Sequence, residues 1–201
     1  MKILVTGFTP FGGETVNPAW EAVKALLDRI GIWEVERLEV PTEFLRAGEV
    51  LTEAVRRLRP DAVLCVGQAG GRDAVTPERV AINKMDAAIP DNAGFQPEEQ
   101  SVVPDAPAAY FATLPIKTMA AAIRAGGLPA AVSNTAGTYV CNCLMYRLLH
   151  LAATTYPEMR GGFIHVPYAL EQLPGKRPGT PALALEEITR ALTLAIDAIP
   201  E

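Results

Sequence analysis

A net charge of −5 on a chain of 201 residues argues against a nucleic-acid partner, because phosphate binding requires a basic protein surface. Hydrophobic residues make up 49% and charged residues 20%, as in soluble globular proteins. No apolar run approaches the roughly 20 residues of a membrane span, so no membrane partner is expected. The length predicts one domain over residues 1–201, and three cysteines without a secretion signal predict reduced thiols in the cytoplasm.

Extended and helical patterns alternate along the chain. The apolar or alternating segments that predict strands are residues 2–8, 33–40, 61–67, 76–83, 130–134 and 161–167. The segments that predict helices are residues 17–30, 42–59, 116–126, 139–155 and 181–199. Asn17 can cap the first helix, and Pro18 follows at its first position. Residues 86–107, with five prolines or glycines in IPDNAGFQP and VPDAP, are predicted to form a loop.

This alternation predicts the α/β fold class, with a mostly parallel sheet covered by helices on both faces. In such sheets, ligands bind beyond the carboxyl ends of the strands. Four turns lie at the ends of predicted strands: TGFTPFGG, VGQAGG, SNTAGTYVCN and IHVPY. Candidate functional residues are therefore sought in these turns.

Cys141 is the first candidate, because it lies where the loop after the predicted strand 130–134 becomes a helix. At the N-terminus of a helix, free N–H groups and the helix dipole lower the pKa of a thiol and favour a nucleophilic thiolate. The same N–H groups can stabilise an oxyanion during acyl transfer. The alternative is a small buried hydrophobic residue, which is the commoner role for a lone cysteine.

The other two cysteines fit that alternative better. Cys65 lies in the middle of a predicted strand, and Cys143 is turned well away from Cys141 on a helix. No second pair of ligands has a spacing that would complete a metal site with this C-x-C sequence.

A nucleophilic cysteine needs a base, and the chain contains two histidines. His165 ends a predicted strand at the same edge of the sheet as Cys141, whereas His150 lies within a predicted helix and is interpreted as structural. Glu78 follows the VGQAGG turn and is the candidate carboxylate that would orient the histidine. The alternative is a surface glutamate paired with Arg79. Rival carboxylates on the same grounds are Asp73, Asp86 and Asp91.

Four sequence blocks together resemble the pyrrolidone-carboxylate peptidases, the pyroglutamyl-peptidase I family C15. The blocks are TGFTPFGG with the following NP, GQAGGRDAVTPERVAIN, AVSNTAGTYVCN and GFIHVP. They carry Glu78, Cys141 and His165 in the order of that family. The resemblance covers residues 2–170 and implies a three-layer α/β/α sandwich with a twisted, mostly parallel central sheet.

The resemblance implies a cysteine exopeptidase that removes an N-terminal pyroglutamyl residue from peptides through a thioacyl intermediate, with no metal or organic cofactor. Cys141 would be the nucleophile, His165 the general base and then acid, and Glu78 the orienting carboxylate. The substrate pocket of the family corresponds to Phe8, Phe11, Thr42, Gln68, Ile89, Tyr139 and Val140. Members are commonly homotetramers, so a homo-oligomer is expected.

One position departs from the family pattern. Where the family usually reads D-A-R-I-P-D-N, this chain reads DAAIPDN, with Ala88 in place of the arginine. The surrounding segment is rich in proline, glycine and small residues. We therefore expect few groups to anchor it, and a loop that is more mobile in the free protein.

Two alternatives to an active peptidase remain open at the level of sequence. One is a non-catalytic or weakly active homologue that binds pyroglutamyl peptides; a complete Cys–His–Glu set argues against it, because random loss should not spare all three residues. The other is a different α/β/α enzyme, such as a nucleoside phosphorylase. That enzyme would need a phosphate site rich in arginine and serine, which the chain does not display.

Overall fold

The computed structural model describes residues 1–201 and contains one large sheet and two small ones. The strands in chain order are β1 (Lys2–Phe8), β2 (Arg29–Ile30), β3 (Trp33–Val40), β4 (Ala62–Gln68), β5 (Thr76–Pro77), β6 (Val80–Ile82), β7 (Ala109–Phe111), β8 (Arg160–Val166), β9 (Tyr168–Ala169) and β10 (Ala182–Leu183). The large sheet has the order β2-β3-β1-β4-β8-β5. Its four inner strands are parallel, and the short edge strands β2 and β5 are antiparallel to their neighbours. The small sheets pair β6 with β7 and β9 with β10.

Helices cover both faces of the large sheet. In chain order they are α1 (Pro18–Lys24), α2 (Arg46–Leu58), α3 (Ile116–Ala125), α4 (Val140–Thr154) and α5 (Leu185–Asp197). Helices α1 and α3 pack against α5 on one face, and α2 packs against α4 on the other. Along β1, Ile3 and Val5 enter the first core, whereas Leu4 and Phe8 enter the second, because side chains alternate between the faces of a strand. The predicted α/β/α sandwich with a mostly parallel sheet is confirmed.

None of the helices has the length and hydrophobicity needed to cross a lipid bilayer.

Three predicted helices are shorter than expected: the one predicted over 42–59 spans only Arg46–Leu58, and two others lose residues to strand pairing. The helix predicted over 17–30 ends at Lys24, and its last two residues form β2, which pairs with β3. The helix predicted over 181–199 begins at Leu185, because β10 pairs with β9. Helical spacing of apolar residues does not reveal these backbone partners, which are distant in the chain or across a turn.

The predicted strand 130–134 is not a continuous strand. It makes isolated parallel bridges to the segment 75–79, at Ala130 and Ser133. The chain then passes through Gly137, whose φ of 76° lies in the left-handed region that favours glycine, before α4 begins. Since these bridges are parallel and β5 is antiparallel to β8, the segment runs in the direction opposite to β8.

The segment around Ala88 is anchored without an arginine. Asp91 is buried, and its carboxylate accepts hydrogen bonds of 2.9 Å from the N–H of Phe44 and from two N–H groups of its own loop. Asn92 donates to a carbonyl of the loop after β1 at 2.8 Å, and the Tyr139 hydroxyl donates to a carbonyl of the segment at 3.0 Å. The expectation of few anchoring groups is therefore wrong. The side chain of Ala88 itself is exposed.

Candidate active site

One small cavity lies at the carboxyl ends of the parallel strands. Its volume is about 120 Å³, and its lining residues are Phe8, Phe11, Asn17, Thr42, Gln68, Ala136, Tyr139, Cys141 and His165. They come from the ends of β1, β4 and β8, from the segments that follow β1 and β3, and from the start of α4 and the loop before it. A larger cleft of about 350 Å³, between the ends of α2 and α4, contains neither cysteine nor histidine. The small cavity is thus the place where the predicted chemistry can occur.

Cys141 is the second residue of α4 and is partly accessible, whereas both other cysteines are buried. The strand β4 passes directly against it: a Cβ atom at Gly67 would lie only 2.8 Å from the Cys141 sulfur. At the N-cap of α4, Tyr139 makes no side-chain capping bond, unlike Asn17, whose side chain caps α1. The first N–H groups of α4 are therefore left without a side-chain partner next to the thiol.

His165 and Glu78 form a buried hydrogen-bonded pair. The imidazole Nδ1 lies 2.7 Å from Glu78 Oε1, and the two side chains are 5% and 0% exposed. The backbone N–H of Glu78 donates to the Phe163 carbonyl at 2.9 Å, which holds the glutamate beside β8. With an ionised carboxylate, Nδ1 donates the proton and the other ring nitrogen, Nε2, is left to accept one.

Burial sets the protonation states of this group. It raises the pKa of the Cys141 thiol to about 12, and the charge of Glu78 adds to this effect. Burial also lowers the pKa of His165, although the hydrogen bond to Glu78 opposes it. For Glu78, burial favours a raised pKa, but the hydrogen bond and charge of His165, together with Arg72, outweigh it and keep the pKa lowered.

The expected lowering of the thiol pKa by the helix terminus is therefore wrong for the free protein. The hydrogen bond from the backbone N–H of Cys141 does lower the pKa, but by less than desolvation raises it. The resting site accordingly holds a neutral thiol, a neutral imidazole and an ionised carboxylate. Such a thiol needs a base to become a nucleophile.

Arg72 is a charged neighbour that sequence reasoning missed. Its Nη1 donates to Glu78 Oε1 at 2.6 Å, and its Nη2 donates to the carbonyl of Thr135 at 3.1 Å. Arg79, the alternative partner of Glu78, instead donates to the side chain of Asn134 at 2.7 Å. The only signal in the sequence is a basic residue in the turn GGRD, shortly before the glutamate.

Comparison with known proteins decides the family. The model of the pyroglutamyl peptidase family matches residues 1–201. The chain belongs to this family, the cysteine peptidases C15. A pyrrolidone-carboxylate peptidase of Levilactobacillus brevis is 57% identical over 199 residues, which cover 99% of this chain and 97% of that relative.

Solved structures of pyroglutamyl peptidases have the same fold. The crystal structure of pyroglutamyl peptidase I from Bacillus amyloliquefaciens is 50% identical, with a TM-score of 0.95 over 98% of this chain and 96% of that one. The pyrrolidone carboxyl peptidase of Thermococcus litoralis is 39% identical, with a TM-score of 0.93 over 98% of this chain and 92% of that one. These matches support an enzyme of the pyroglutamyl peptidase family over a nucleoside phosphorylase.

The pocket that the family resemblance implied is only partly reproduced in this pyroglutamyl peptidase homologue. The implied residues that line the cavity are Phe8, Phe11, Thr42, Gln68 and Tyr139. Val140 is fully buried in the core between the sheet and α4, and Ile89 is 47% exposed outside the lining. Asn17 and Ala136 complete the lining, although the sequence indicated only a capping role for Asn17.

The remaining candidates lie elsewhere in this member of the family. His150 Nδ1 is 3.0 Å from the Tyr110 hydroxyl. Burial raises the pKa of Cys65 to about 12, and Cys143 is buried with its sulfur 3.4 Å from the carbonyl of Phe44. The carboxylates that do not contact His165 include the three rivals, Asp73, Asp86 and Asp91. No group of three or more His, Cys, Asp or Glu side chains is arranged to hold a metal ion.

Proposed function

We propose that the protein removes an N-terminal pyroglutamyl residue from peptides by cysteine catalysis. The main support is that Cys141 opens into one small cavity beside His165, whose Nδ1 is 2.7 Å from Glu78 Oε1. Relatives called pyrrolidone-carboxylate peptidase, which match 99% of the chain, support the choice of substrate. The partners are accordingly peptides that begin with pyroglutamate.

The lining of the cavity suits a neutral ring. Its volume of about 120 Å³ lies well below the roughly 300–1,000 Å³ of pockets for drug-sized ligands. Aromatic rings of Phe8, Phe11 and Tyr139 and the amides of Asn17 and Gln68 contribute to it, and no carboxylate does. A free N-terminal ammonium would need such a carboxylate for charge pairing. A lactam needs only apolar contact and hydrogen bonds, which favours pyroglutamate over an ordinary N-terminus.

In the first step, His165 Nε2 takes the proton of the Cys141 thiol as the sulfur attacks the acyl carbonyl of the substrate. Glu78 holds the imidazole through Nδ1 and stabilises the imidazolium that forms. Because the thiol pKa is raised and the imidazole pKa is lowered in the free protein, the proton moves as the attack occurs. Unpartnered N–H groups at the start of α4 stabilise the oxyanion.

The intermediate collapses when the C–N bond breaks. The imidazolium of His165 gives its proton to the leaving amine nitrogen, and the pyroglutamyl group remains on Cys141 as a thioester. His165 then deprotonates a water molecule, which attacks the thioester carbonyl. As pyroglutamate leaves, the His165 imidazolium returns its proton to the Cys141 sulfur, which restores the neutral thiol and the neutral imidazole.

The test compares two anilides that share a five-membered ring. Pyroglutamyl-p-nitroanilide carries the neutral lactam, and prolyl-p-nitroanilide carries a charged amine. We expect the parent protein to cleave only the pyroglutamyl compound, and Cys141→Ala or prior alkylation with iodoacetamide to abolish cleavage. Cleavage of both anilides at similar kcat/KM, or an active Cys141→Ala protein, would contradict the proposal.

We also infer that the protein is a cytoplasmic homo-oligomer, a tetramer as is common in the family. Three unpaired thiols support a reducing compartment. Phe111 and Ile82, on the paired strands β6 and β7, are 67% and 38% exposed, and exposed apolar side chains often mark interfaces. Light scattering of Phe111→Glu should give a smaller species than the parent, whereas Leu27→Glu, an equally exposed control, should not. A monomeric parent protein contradicts the inference.

A further inference from the structure

We propose that Arg72 is a positioning residue of the peptidase reaction, which holds the Glu78 carboxylate on His165 and supplies its permanent counter-charge. The inference rests on the proposed function and extends the three proposed catalytic residues by a fourth residue that acts through them. It follows from the contacts of one carboxylate, from the charges around it, and from a second contact of the same guanidinium.

Both polar contacts of the Glu78 carboxylate use a single oxygen. Oε1 accepts from Arg72 Nη1 at 2.6 Å and from His165 Nδ1 at 2.7 Å. Oε2 is buried and has no hydrogen-bond partner, since the nearby Ser133 hydroxyl donates to the carbonyl of Thr135 at 3.1 Å. Without the arginine, only the hydrogen bond to the neutral ring and the nearby Ser133 hydroxyl would hold the carboxylate. The guanidinium therefore determines which way the carboxylate faces.

Arg72 is also the permanently charged partner of the Glu78 carboxylate. The carboxylate is fully buried, and a buried charge needs a partner of opposite sign. The titratable groups around it are His165 on β8 and Cys141 on α4, with Cys65 on β4 behind the thiol. The resting imidazole is neutral and neither thiol carries positive charge, so Arg72 alone compensates the carboxylate before the reaction starts.

The second terminal nitrogen of the guanidinium contacts the loop that precedes Cys141. Arg72 Nη2 donates to the carbonyl of Thr135 at 3.1 Å, in the loop that leads into α4 and Cys141. One planar group thus ties the carboxylate behind the base to the loop before the nucleophile. Lysine can supply the charge but not this pair of fixed donors.

The first test is Arg72→Met. We expect kcat on pyroglutamyl-p-nitroanilide to fall about ten- to a hundredfold, the usual effect of losing one charge-assisted hydrogen bond, with KM changed much less. The acid limb of kcat/KM should move to higher pH, because Arg72 lowers the pKa of His165. Alkylation of Cys141 by iodoacetamide should become slower at each pH, because Arg72 also lowers the pKa of that thiol.

A merely structural role predicts the opposite sign. If loss of Arg72 only loosened the site, water would enter, the desolvation that raises the thiol pKa would weaken, and alkylation would become faster. Faster alkylation in Arg72→Met therefore overturns the proposal. Arg72→Lys keeps the charge and should leave the acid limb in place while kcat still falls. Where Arg72→Met does not fold, a displaced acid limb in Arg72→Lys overturns the proposal equally.

Arg79→Met is the matched control, because it removes a neighbouring cation that contacts Asn134 rather than Glu78. Its kcat, acid limb and alkylation rate should equal those of the parent protein. If the parent protein does not cleave the pyroglutamyl anilide, the proposed function fails, and the alkylation rates still decide the role of Arg72. If the parent protein cleaves it and Arg72→Met behaves like Arg79→Met, only the Arg72 proposal is overturned.

Discussion

Gly67 and Cys141 approach so closely that no side chain fits between them: a Cβ atom at Gly67 would lie 2.8 Å from the sulfur and 2.8 Å from the Phe163 ring. We expect Gly67→Ala to displace the thiol or the ring, to destabilise the protein by about 1–3 kcal/mol and to lower kcat strongly. Thermal unfolding and anilide hydrolysis measure the two effects. Gly161→Ala, which crowds leucine side chains of α4 away from the cavity, should affect stability alone. Full activity in Gly67→Ala would contradict this geometry.

The three thiols should differ in reactivity because they differ in access. Cys141 is partly accessible, whereas Cys65 and Cys143 are buried. We expect iodoacetamide to label Cys141 first, and Cys141→Ala to lose turnover, while Cys65→Ala and Cys143→Ala keep it. Peptide mapping and anilide hydrolysis provide the measurements. Initial labelling at Cys143, with turnover retained in Cys141→Ala, would show that the nucleophile is assigned to the wrong residue.

Acid should weaken the fold through His165. Burial lowers the pKa of His165, so below about pH 6.5 the unfolded chain binds more protons than the folded one. The free energy of unfolding therefore decreases as the pH falls through this range. Glu78 has a lowered pKa, so its contribution to the free energy of unfolding is present above about pH 4.3 and is lost at more acidic pH.

We therefore expect Tm to fall between pH 7 and pH 5, as measured by calorimetry, and His165→Gln to flatten that part of the curve. His150→Gln, at the histidine outside the cavity, serves as the control and should retain the slope. An identical slope in His165→Gln and the parent protein would mean that burial of this imidazole does not govern acid sensitivity.

The loop that contains Ala88 should depend on Asp91. Its buried carboxylate accepts three backbone N–H groups, and each charge-assisted bond is typically worth about 1.5–3 kcal/mol. We expect Asp91→Ala to lower Tm and raise KM, because Tyr139, a lining residue of the cavity, donates its hydroxyl hydrogen bond to this loop. Ala88→Arg, at an exposed position, should leave kcat/KM and amide exchange of residues 84–95 unchanged. A clear gain of activity in Ala88→Arg would instead support the expectation that the loop lacks an anchor because Ala88 replaces the arginine.

Gln172 should control the amide of Gln68 in the cavity. Its side-chain nitrogen donates to Gln68 Oε1 at 3.1 Å and to Glu14 at 3.2 Å, so the Gln68 nitrogen remains free to donate to a substrate carbonyl. We expect Gln172→Leu to raise KM severalfold with a smaller change in kcat, because an unheld amide rotates freely. Glu171→Leu, at the exposed neighbouring position, is the control. Equal KM values in Gln172→Leu and the parent protein would rule out this orienting contact.

Much of the fold and the location of the cavity could be predicted, because both depend on local patterns. Apolar alternation placed β1, β4 and β8 within about two residues of their observed bounds, and parallel strands necessarily end at one edge. Cys141 and His165 were predicted to share that edge, and both line the cavity. The prediction that they act together stays a prediction.

The contacts that decide the site could not be predicted, because they join residues far apart in the chain. Arg72 meets the Thr135 carbonyl 63 residues away, Glu78 meets His165 87 residues away, and Asp91 meets Phe44 47 residues away. The spacing of apolar residues along the chain does not predict contacts between segments so far apart. The isolated bridges of segment 130–134 have the same cause, since pairing with segment 75–79 depends on where both segments lie.

Local residue chemistry was thus enough to define the elements, the edge of the sheet and the reactive residue types, since each depends on neighbours within one helix or strand. The protonation state of those residues was decided only by the tertiary structure. A thiol at a helix N-terminus is expected to be acidic from its local setting, yet in the folded chain burial against β4 and the charge of Glu78 raise its pKa to about 12. Desolvation depends on all the atoms packed around a group, and these atoms come from every part of the chain.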